Sequence, residues 1–214
     1  MREYPKIETL YVRDEQTKKV DPTKLRCPEF GIVTSWSISE KIDGTNIRIG
    51  LDEQGHLQIS GRTDAAQIPT PLLSHLMQTF PEEKLREKFP DGAGAVTLFG
   101  EGYGPKIQKG GGNYRATPSF RLFDVLYGRW WLERDGIVDV ANAFGVRPVP
   151  SWLHSRPDFP TSHESLQKII GQSLVALDDG GPGCQAEGIV ARSVPLLLNR
   201  AGERVMWKLK FKDF

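Results

Sequence analysis

The sequence has few cysteines and no excess of charge of either sign. Only Cys27 and Cys184 are present among 214 residues, and neither belongs to a Cys-x-x-Cys pair. A disulfide framework and a four-ligand structural zinc site are therefore not expected, and a reducing, cytoplasmic location is favoured. Lysine and arginine number 28 and aspartate and glutamate 27, which excludes a surface that is basic throughout. Contact with nucleic acid would require a local basic patch.

The sequence also lacks long apolar runs and repeats. The longest aliphatic runs, such as Val194 to Leu198, fall far short of the roughly 18 apolar residues needed to cross a bilayer. Residues 1–20 are polar and charged, so we expect neither a signal peptide nor contact with a membrane. A chain of 214 residues can bury a core without disulfides or metals. This length predicts a single domain over residues 1–214.

Glycines and prolines, 22 and 15 in number, are spread along the chain and indicate frequent turns. Alternation of apolar and polar residues predicts strands over Thr45–Leu51, His56–Ser60, Ala95–Phe99, Phe120–Leu126, Gly188–Arg192 and Arg204–Leu209. A hairpin loop is expected over Asp52–Gly55. Helices are predicted over Pro71–Phe80, Glu82–Phe89, Asp139–Phe144 and from a capping box at Thr161–Glu164 to about Leu177. Many short strands and few helices predict an α+β fold of mostly antiparallel sheets with flanking helices, because α/β needs more crossover helices.

One lysine lies between two acidic residues, in the stretch Ser39-Glu40-Lys41-Ile42-Asp43-Gly44-Thr45-Asn46-Ile47-Arg48. A lysine amine attacks a phosphorus or carbonyl centre only when it is neutral. Nearby cations, or removal from water, would lower its pKa. The four residues Lys-x-Asp-Gly alone fit a surface turn that enters a hairpin equally well, since so short a motif arises by chance.

Two further groups of cations are candidates for binding phosphate. Lys208 and Lys210 alternate on a predicted strand and so share one face, which suits a triphosphate, although a solvated face is the alternative. The segment 104–115 contains three consecutive glycines, one tyrosine and three cations, Lys106, Lys109 and Arg115. This composition predicts a mobile basic loop that grips a nucleic-acid backbone or 5′-phosphate, or else an ordinary flexible surface loop.

The stretch from Glu40 to Asn46 resembles motif I of the covalent nucleotidyltransferases, which include polynucleotide ligases and mRNA capping enzymes. Its form, Glu-Lys-x-x-Gly-Thr-Asn, is most similar to phage and editing-type RNA ligases, whereas DNA ligases more often have arginine in place of Asn46. Later segments resemble motifs Ia, III, IIIa, IV and V in family order: Ser60–Thr63, Leu98–Gly102, Phe120–Val125, Ala186–Val190 and Trp207–Lys210. Six motifs in order are far more specific than any one alone. The resemblance implies an ATP-dependent RNA ligase with a nucleotidyltransferase fold.

The resemblance also implies a reaction. Lys41 would attack the α-phosphate of ATP, release pyrophosphate and form a lysyl-AMP intermediate. AMP would pass to a 5′-phosphate end, and a 3′-hydroxyl would then seal it, as RNA repair requires. Magnesium or manganese would neutralise the phosphates. The implied partners are nicked or broken RNA ends, including an RNA/DNA hybrid.

The catalytic residues implied by the resemblance are Lys41, Glu187, Lys208 and Lys210. Glu187 would assist adenylylation and contact the metal indirectly, because carboxylate oxygen suits magnesium. Both Lys208 and Lys210 would bind the phosphates and could lower the pKa of Lys41 by proximity.

A second implied set of residues binds ATP. Glu40 and Phe123 would contact adenine, and Glu101 the ribose hydroxyls. Arg62 would contact ribose or phosphate, and Asn46 the phosphates or the substrate end. The whole predicted ATP-binding set is Glu40, Asn46, Arg62, Glu101, Phe123, Lys208 and Lys210.

The assignment of adenine stacking leaves a choice between two aromatics. Phe120 competes with Phe123, and Phe123 is favoured because Asp124 follows it, as in the motif. Glu101 lies between two glycines, and this flanking predicts a turn around it.

The sequence departs from most ligases after the last motif. Only four residues follow Lys210, where most ligases add an OB-fold or helical domain. We therefore expect a minimal enzyme without that domain, with RNA grip that is weak or supplied by a partner protein. NAD use is not expected, because NAD-dependent ligases carry an extra N-terminal module. The alternatives are a small ATP-dependent DNA ligase, which Asn46 disfavours, and a non-catalytic nucleic-acid-binding relative, which the retained charged residues disfavour.

Overall fold

A computed structural model describes residues 1–91, 94–155 and 158–214. The strands, numbered along the chain, are β1 (Glu8–Thr9), β2 (Tyr11–Arg13), β3 (Val20–Leu25), β4 (Ser35–Lys41), β5 (Thr45–Leu51), β6 (Leu57–Ser60), β7 (Val96–Tyr103), β8 (Ser119–Tyr127), β9 (Trp130–Trp131), β10 (Arg147–Pro148), β11 (Ser151–Ser155), β12 (Gly188–Ser193) and β13 (Met206–Lys210). The helices are α1 (Thr70–Thr79), α2 (Glu82–Lys88), α3 (Arg134–Ala143), α4 (His163–Ile169) and α5 (Leu174–Asp178). No helix in the described ranges is long and apolar enough to cross a membrane.

The chain divides into two compact units. The first unit consists of Met1–Pro5, Asp43–Val149 and Asp179–Pro182, and the second of Lys6–Ile42, Pro150–Asp178 and Gly183–Phe214. Each unit has its own sheet and its own apolar core.

The second unit is built on a five-stranded sheet in the order β1-β13-β12-β4-β11. β1 runs parallel to β13, and the other neighbours are antiparallel. Along β4, buried residues alternate with half-buried ones, as the period of two in a strand requires. Its core includes Trp36, Ile38, Ile189, Trp207 and Leu209. The hairpin of β2 and β3 belongs to the same unit.

The first unit is built on a six-stranded sheet in the order β10-β8-β7-β5-β6, with β9 paired to β8. β10 is parallel to β8, and the other pairs are antiparallel. Side chains from β5, β7 and β8 form one core with those of α1, α2 and α3. Members of that core include Ile47, Ile49, Leu72, Phe80 and Phe120.

The predicted α+β class with mostly antiparallel sheets is confirmed, and most predicted elements are present. β5 matches its prediction, and the Asp52–Gly55 loop closes through a hydrogen bond from Gly55 N to Asp52 O. β7 extends four residues beyond its predicted end and β13 includes Lys210. The strand pattern misses β4, which carries Lys41 at its end.

The prediction of one helix from Thr161 to about Leu177 is wrong. The N-cap is Ser162, whose hydroxyl accepts a hydrogen bond from Ser165 N. α4 ends at Ile169, and α5 starts separately at Leu174. Glycine at position 171 disfavours helix, and the carboxylate of Glu40 accepts a hydrogen bond from Val175 N, which fixes a new helix start. That contact joins residues 135 positions apart, so no local pattern predicts it.

Candidate active site

Two lysines converge on one carboxylate in the second unit. The Nζ atom of Lys41 lies 2.6 Å from Oε2 of Glu187, and the Nζ atom of Lys210 lies 2.6 Å from Oε1. The side chains are 23%, 14% and 17% exposed for Lys41, Glu187 and Lys210, so the cluster is shielded but accessible. Three of the four predicted catalytic residues are therefore in direct contact.

The strand register explains this convergence. β12 lies between β4 and β13, and Gly188 at its start is paired with Lys41 on one side and Lys210 on the other. Glu187 directly precedes Gly188, so its side chain is flanked by both lysines. A side chain at Gly188 is excluded, because a Cβ there would lie 2.1 Å from Leu209 O. The close approach of β12 to β13 thus depends on glycine at this position.

Glu187 keeps its negative charge in this setting. Burial alone would raise the pKa of the Glu187 carboxyl, but attraction to Lys41 and hydrogen bonds with Lys210 and Lys41 outweigh burial and lower it. A carboxylate with lowered pKa holds two ammonium groups at neutral pH, which fixes the position of the Lys41 amine.

A second carboxylate supports the end of β13. Oδ2 of Asp213, which is fully buried, accepts a hydrogen bond from Lys210 N at 2.9 Å. Its other oxygen accepts a hydrogen bond from Arg13 at 2.5 Å. Sequence patterns did not identify Arg13 or Asp213, since neither belongs to a recognised motif.

Glu40 is buried within the second unit. Its carboxylate accepts hydrogen bonds from Ser173 Oγ at 2.5 Å and Val175 N at 3.0 Å, and its own N–H donates to Pro150 O. The Glu40 side chain therefore ties the end of β4 to the start of α5. The predicted contact of Glu40 with adenine stays a prediction, and Ser173 is a supporting residue that the sequence did not reveal.

Lys208 and Lys210 share one face of β13, as predicted. They alternate with Trp207 and Leu209, which are buried in the core. Both lysines line a groove of about 560 Å³ in the second unit. Lys208 therefore lies beside the cluster of Lys41, Glu187 and Lys210 on the same strand face.

In the first unit, Asn46 and Glu101 are paired across β5 and β7. The Oδ1 atom of Asn46 is buried and has no hydrogen-bond partner among the described residues. A buried amide oxygen without a hydrogen-bond partner is costly, so this position favours a bound hydrogen-bond donor. In the sheet register, Glu101 also lies opposite Arg121 of β8.

The prediction of a turn around Glu101 is wrong, because Glu101 lies inside β7. Its flanking glycines serve packing instead. A Cβ at Gly100 would lie 2.0 Å from the Phe120 ring, and one at Gly102 would lie 2.5 Å from Leu72. Close approach of core side chains, and not chain reversal, requires these glycines.

Arg62 lies exposed in the loop after β6. That loop is held by the buried Arg48, which donates to Gly61 O at 2.7 Å and to Asp64 Oδ1 at 2.6 Å. Arg48 is thus a positioning residue that the motifs do not identify. The one signal in the sequence is an arginine between Ile47 and Ile49, two core residues of β5.

Phe123 and Phe120 lie in different environments. Phe120 is 2% exposed and packs in the core of the first unit. Phe123 is half-buried at a register shift between β7 and β8, with its ring centroid 5.0 Å from that of Tyr4. The partly open ring of Phe123 can receive a planar ligand, whereas Phe120 is enclosed.

The predicted basic loop packs against the turn that follows Lys41 in the chain. Tyr114 Oη accepts a hydrogen bond from Asp43 N, and Gln108 Nε2 donates to Gly44 O. Lys106 and Lys109 are exposed. By contrast, Arg115 donates to the side chains of its own unit, Ser119, Thr117 and Asp179.

Within the described ranges, no group of three His, Cys, Asp or Glu side chains could hold a metal ion. The two oxygens of Glu187 each accept from a lysine. Side chains of the described residues alone therefore do not form a divalent-metal cage.

Residues 34–210 match the family model described as RNA ligase. No match is found among curated proteins. Among solved structures, a lysine-to-alanine variant of the Naegleria gruberi RNA ligase in apo form matches with TM-score 0.62 and 20% identity, covering 97% of this chain and 57% of that one.

Two further structures of the Naegleria gruberi RNA ligase match as well. A form with PPi has TM-score 0.61 and 19% identity, covering 97% of this chain and 61% of that one. A variant with ATP and Mn has TM-score 0.60 and 20% identity, covering 87% and 54%. These similarities show a common fold, and the present chain spans little more than half the length of those proteins.

Proposed function

The chain belongs to the RNA ligase family, and we propose that it performs the nucleotidyl transfer of an ATP-dependent RNA ligase. The observation that carries this proposal is the contact of Lys41 and Lys210 with the two oxygens of Glu187. The Naegleria gruberi enzyme, which shares the fold, has been solved with ATP and Mn and with PPi. This supports ATP as the substrate and pyrophosphate as the first product.

In the first step, the neutral amine of Lys41 attacks the α-phosphorus of ATP. An N–P bond forms, the P–O bond to the β-phosphate breaks, and pyrophosphate leaves. The Lys41 ammonium must first lose a proton, and that proton goes to solvent, because the lowered pKa of Glu187 makes its carboxylate a weak base. Glu187 instead orients the Lys41 amine through the 2.6 Å contact.

Lys210 and Lys208 supply positive charge for this step. Lys210 keeps Glu187 in place before attack, and its ammonium lies on the same strand face as that of Lys208. Two cations on one face stabilise the charge that develops on the transferring and leaving phosphates.

The two later steps use RNA ends. An oxygen of the 5′-phosphate attacks the AMP phosphorus, the P–N bond breaks, and the Lys41 amine is released. The 3′-hydroxyl then attacks the 5′-phosphate, its proton is lost to solvent, and AMP leaves as the new phosphodiester forms.

ATP contacts in the first unit are proposed for four residues. Phe123 offers a partly open ring for adenine, and Glu101 a carboxylate for the ribose hydroxyls. The amide of Asn46 carries a buried atom that a nucleotide group would satisfy. Arg62 is exposed and can turn toward a phosphate.

A divalent metal would reach this protein on the phosphates of ATP. Magnesium or manganese supplies charge neutralisation to those phosphates when bound. With no three-ligand cluster in the described ranges, we propose that phosphate oxygens and water hold the ion, and that Glu187 contacts it only through water.

Self-labelling tests the proposal. The protein is stripped of bound AMP with pyrophosphate, incubated with magnesium and ATP labelled at the α-phosphate, denatured and run on a gel. Wild type is expected to carry label and Lys41→Ala to carry none, with Lys24→Ala, an exposed lysine of the same unit, as the matched control. Absence of label on wild type, or label on Lys41→Ala, would refute the assignment.

The nucleic acid is tested separately. The labelled protein is offered nicked duplexes whose 3′-hydroxyl strand is RNA or DNA, and joined product is measured. Faster joining with RNA is expected. Equal or faster joining with DNA would instead support the DNA ligase alternative.

A further inference from the structure

A cationic groove lies in the second unit beside the cluster of Lys41, Glu187 and Lys210. Its volume is about 560 Å³, and seven of its twelve lining residues are lysine or arginine while three are acidic. Lys208 and Lys210 contribute to it, but the other five cations come from outside the recognised motifs. The chain as a whole has a net charge of only +1, so this groove is a local concentration of positive charge.

Some of these cations already have ionic partners. Glu8 pairs with Lys6 at 3.0 Å and with Arg26 at 3.4 Å, and Arg13 pairs with Asp213. Lys18 and Lys212 are exposed. Lys18 interacts with the charge of the exposed Asp14, which adds to the hydrogen bonds that lower the pKa of that carboxyl. With seven cations against three acidic side chains, the groove still keeps an excess of positive charge.

The backbone around these two lysines is held in place. Lys18 lies in the turn between β2 and β3 with φ of 61°, closed by hydrogen bonds between Asp14 and residues 18 and 19. The neighbouring Lys19 donates from Nζ to Lys212 O and Phe214 O. Lys18 and Lys212 thus come from two segments that Lys19 ties together.

The groove is continuous with the face of β13 that carries Lys208 and Lys210. β1 runs parallel to β13 with Thr9 opposite Lys208, and Leu10 N donates to Lys208 O. The N-terminal segment of the second unit therefore extends the cationic face of Lys208 and Lys210 sideways. No aromatic side chain among the described residues lines this groove, so it offers charge to phosphates but no platform on which bases could stack.

We propose that this groove binds the phosphodiester backbone of the RNA strand that is to be joined, without reading its sequence. The inference rests on the proposed function and adds to it the site at which the RNA strand binds. Exposed cations spread over several segments suit a row of singly charged phosphates, with affinity from release of counterions. A compact triphosphate needs only the cations near Lys41, which Lys208 and Lys210 already supply.

The test uses the double variant Lys18→Ala/Lys212→Ala, which leaves the contacts of Lys41, Glu187 and Lys210 intact. Binding of a fluorescent single-stranded RNA is measured by anisotropy over a range of salt concentrations. We expect affinity to fall about tenfold and the slope of log K against log salt to decrease by about 1.4, from two lost phosphate contacts. The matched control is Lys24→Ala/Lys168→Ala, which removes the same charge from exposed positions outside the groove and should bind as wild type does.

Self-labelling with ATP in the absence of RNA separates the possible outcomes. Unchanged labelling with weakened RNA binding supports the proposal. Unchanged RNA binding overturns it, and so does a rise in the KM for ATP without loss of RNA binding, because the groove would then serve ATP phosphates. If wild type fails to label, the proposed function falls while the anisotropy result still decides the groove. The single variants Lys18→Gln and Lys212→Gln replace the double variant if it does not fold.

Discussion

Replacing Glu187 by glutamine removes one charge from the proposed active site and changes the shape of the side chain very little. Each carboxylate oxygen now accepts a hydrogen bond from an ammonium group at 2.6 Å. Hydrogen bonds to charged groups contribute about 1.5–3 kcal/mol each, and partial exposure places these at the lower end. The amide oxygen still accepts one weaker bond, so a net loss of about 2 kcal/mol is expected.

That loss has two measurable consequences. For a chain of this size, about 2 kcal/mol lowers the melting temperature by about 4–8 °C. The Lys41 amine also loses its fixed position, and misplacement of a reacting group costs about a hundredfold in rate. We therefore expect Glu187→Gln to label with ATP about a hundredfold more slowly than wild type.

The assay measures single-turnover labelling by rapid quench, together with thermal unfolding on the same samples. Glu83→Gln, an exposed carboxylate in α2, controls for the change in net charge and should match wild type in both. If Glu187→Gln labels within about threefold of wild type while melting earlier, the carboxylate is structural only and the proposed positioning of Lys41 is refuted.

Three further predictions concern pH, the support of β4 and the adenine contact. The folded-state pKa of Glu187 is lowered from its ordinary 4.5. Its stabilising contribution is therefore present above about pH 4.5 and is lost as the pH falls through the folded value. The difference in melting temperature between wild type and Glu187→Gln should shrink as the pH falls below about 4.5, and a constant difference would contradict the ion pairing. Glu40→Ala leaves the Ser173 hydroxyl and Val175 N–H without their buried acceptor, so urea unfolding should show a loss of about 3 kcal/mol, and a loss below about 1 kcal/mol would mean that α5 does not depend on this carboxylate. Phe123→Leu should raise the KM for ATP about tenfold through loss of ring stacking while Phe123→Tyr preserves it; equal KM values for Phe123→Leu and wild type would show that adenine binds elsewhere.

Local patterns in the sequence were sufficient for several of the strands, although they missed β4 and joined α4 to α5. Alternation over 45–51 predicted β5 because strand side chains have a period of two, and the same period placed Lys208 and Lys210 on one face of β13. The glycines around Glu101 led to the wrong prediction of a turn. A glycine in a strand and one in a turn look alike in sequence, and only the rings and side chains packed against Gly100 and Gly102 distinguish them.

Contacts between distant residues were decided by the tertiary structure alone. Lys41 meets Glu187 across 146 positions because β12 lies between β4 and β13 in one register, and a shift of one residue would turn the side chains to the other face. In the same way, Glu40 starts α5 from 135 positions away, and Lys18 and Lys212 share a groove although one lies near each end of the chain. Composition and periodicity describe neighbours along the chain, whereas these pairs depend on which strands lie side by side.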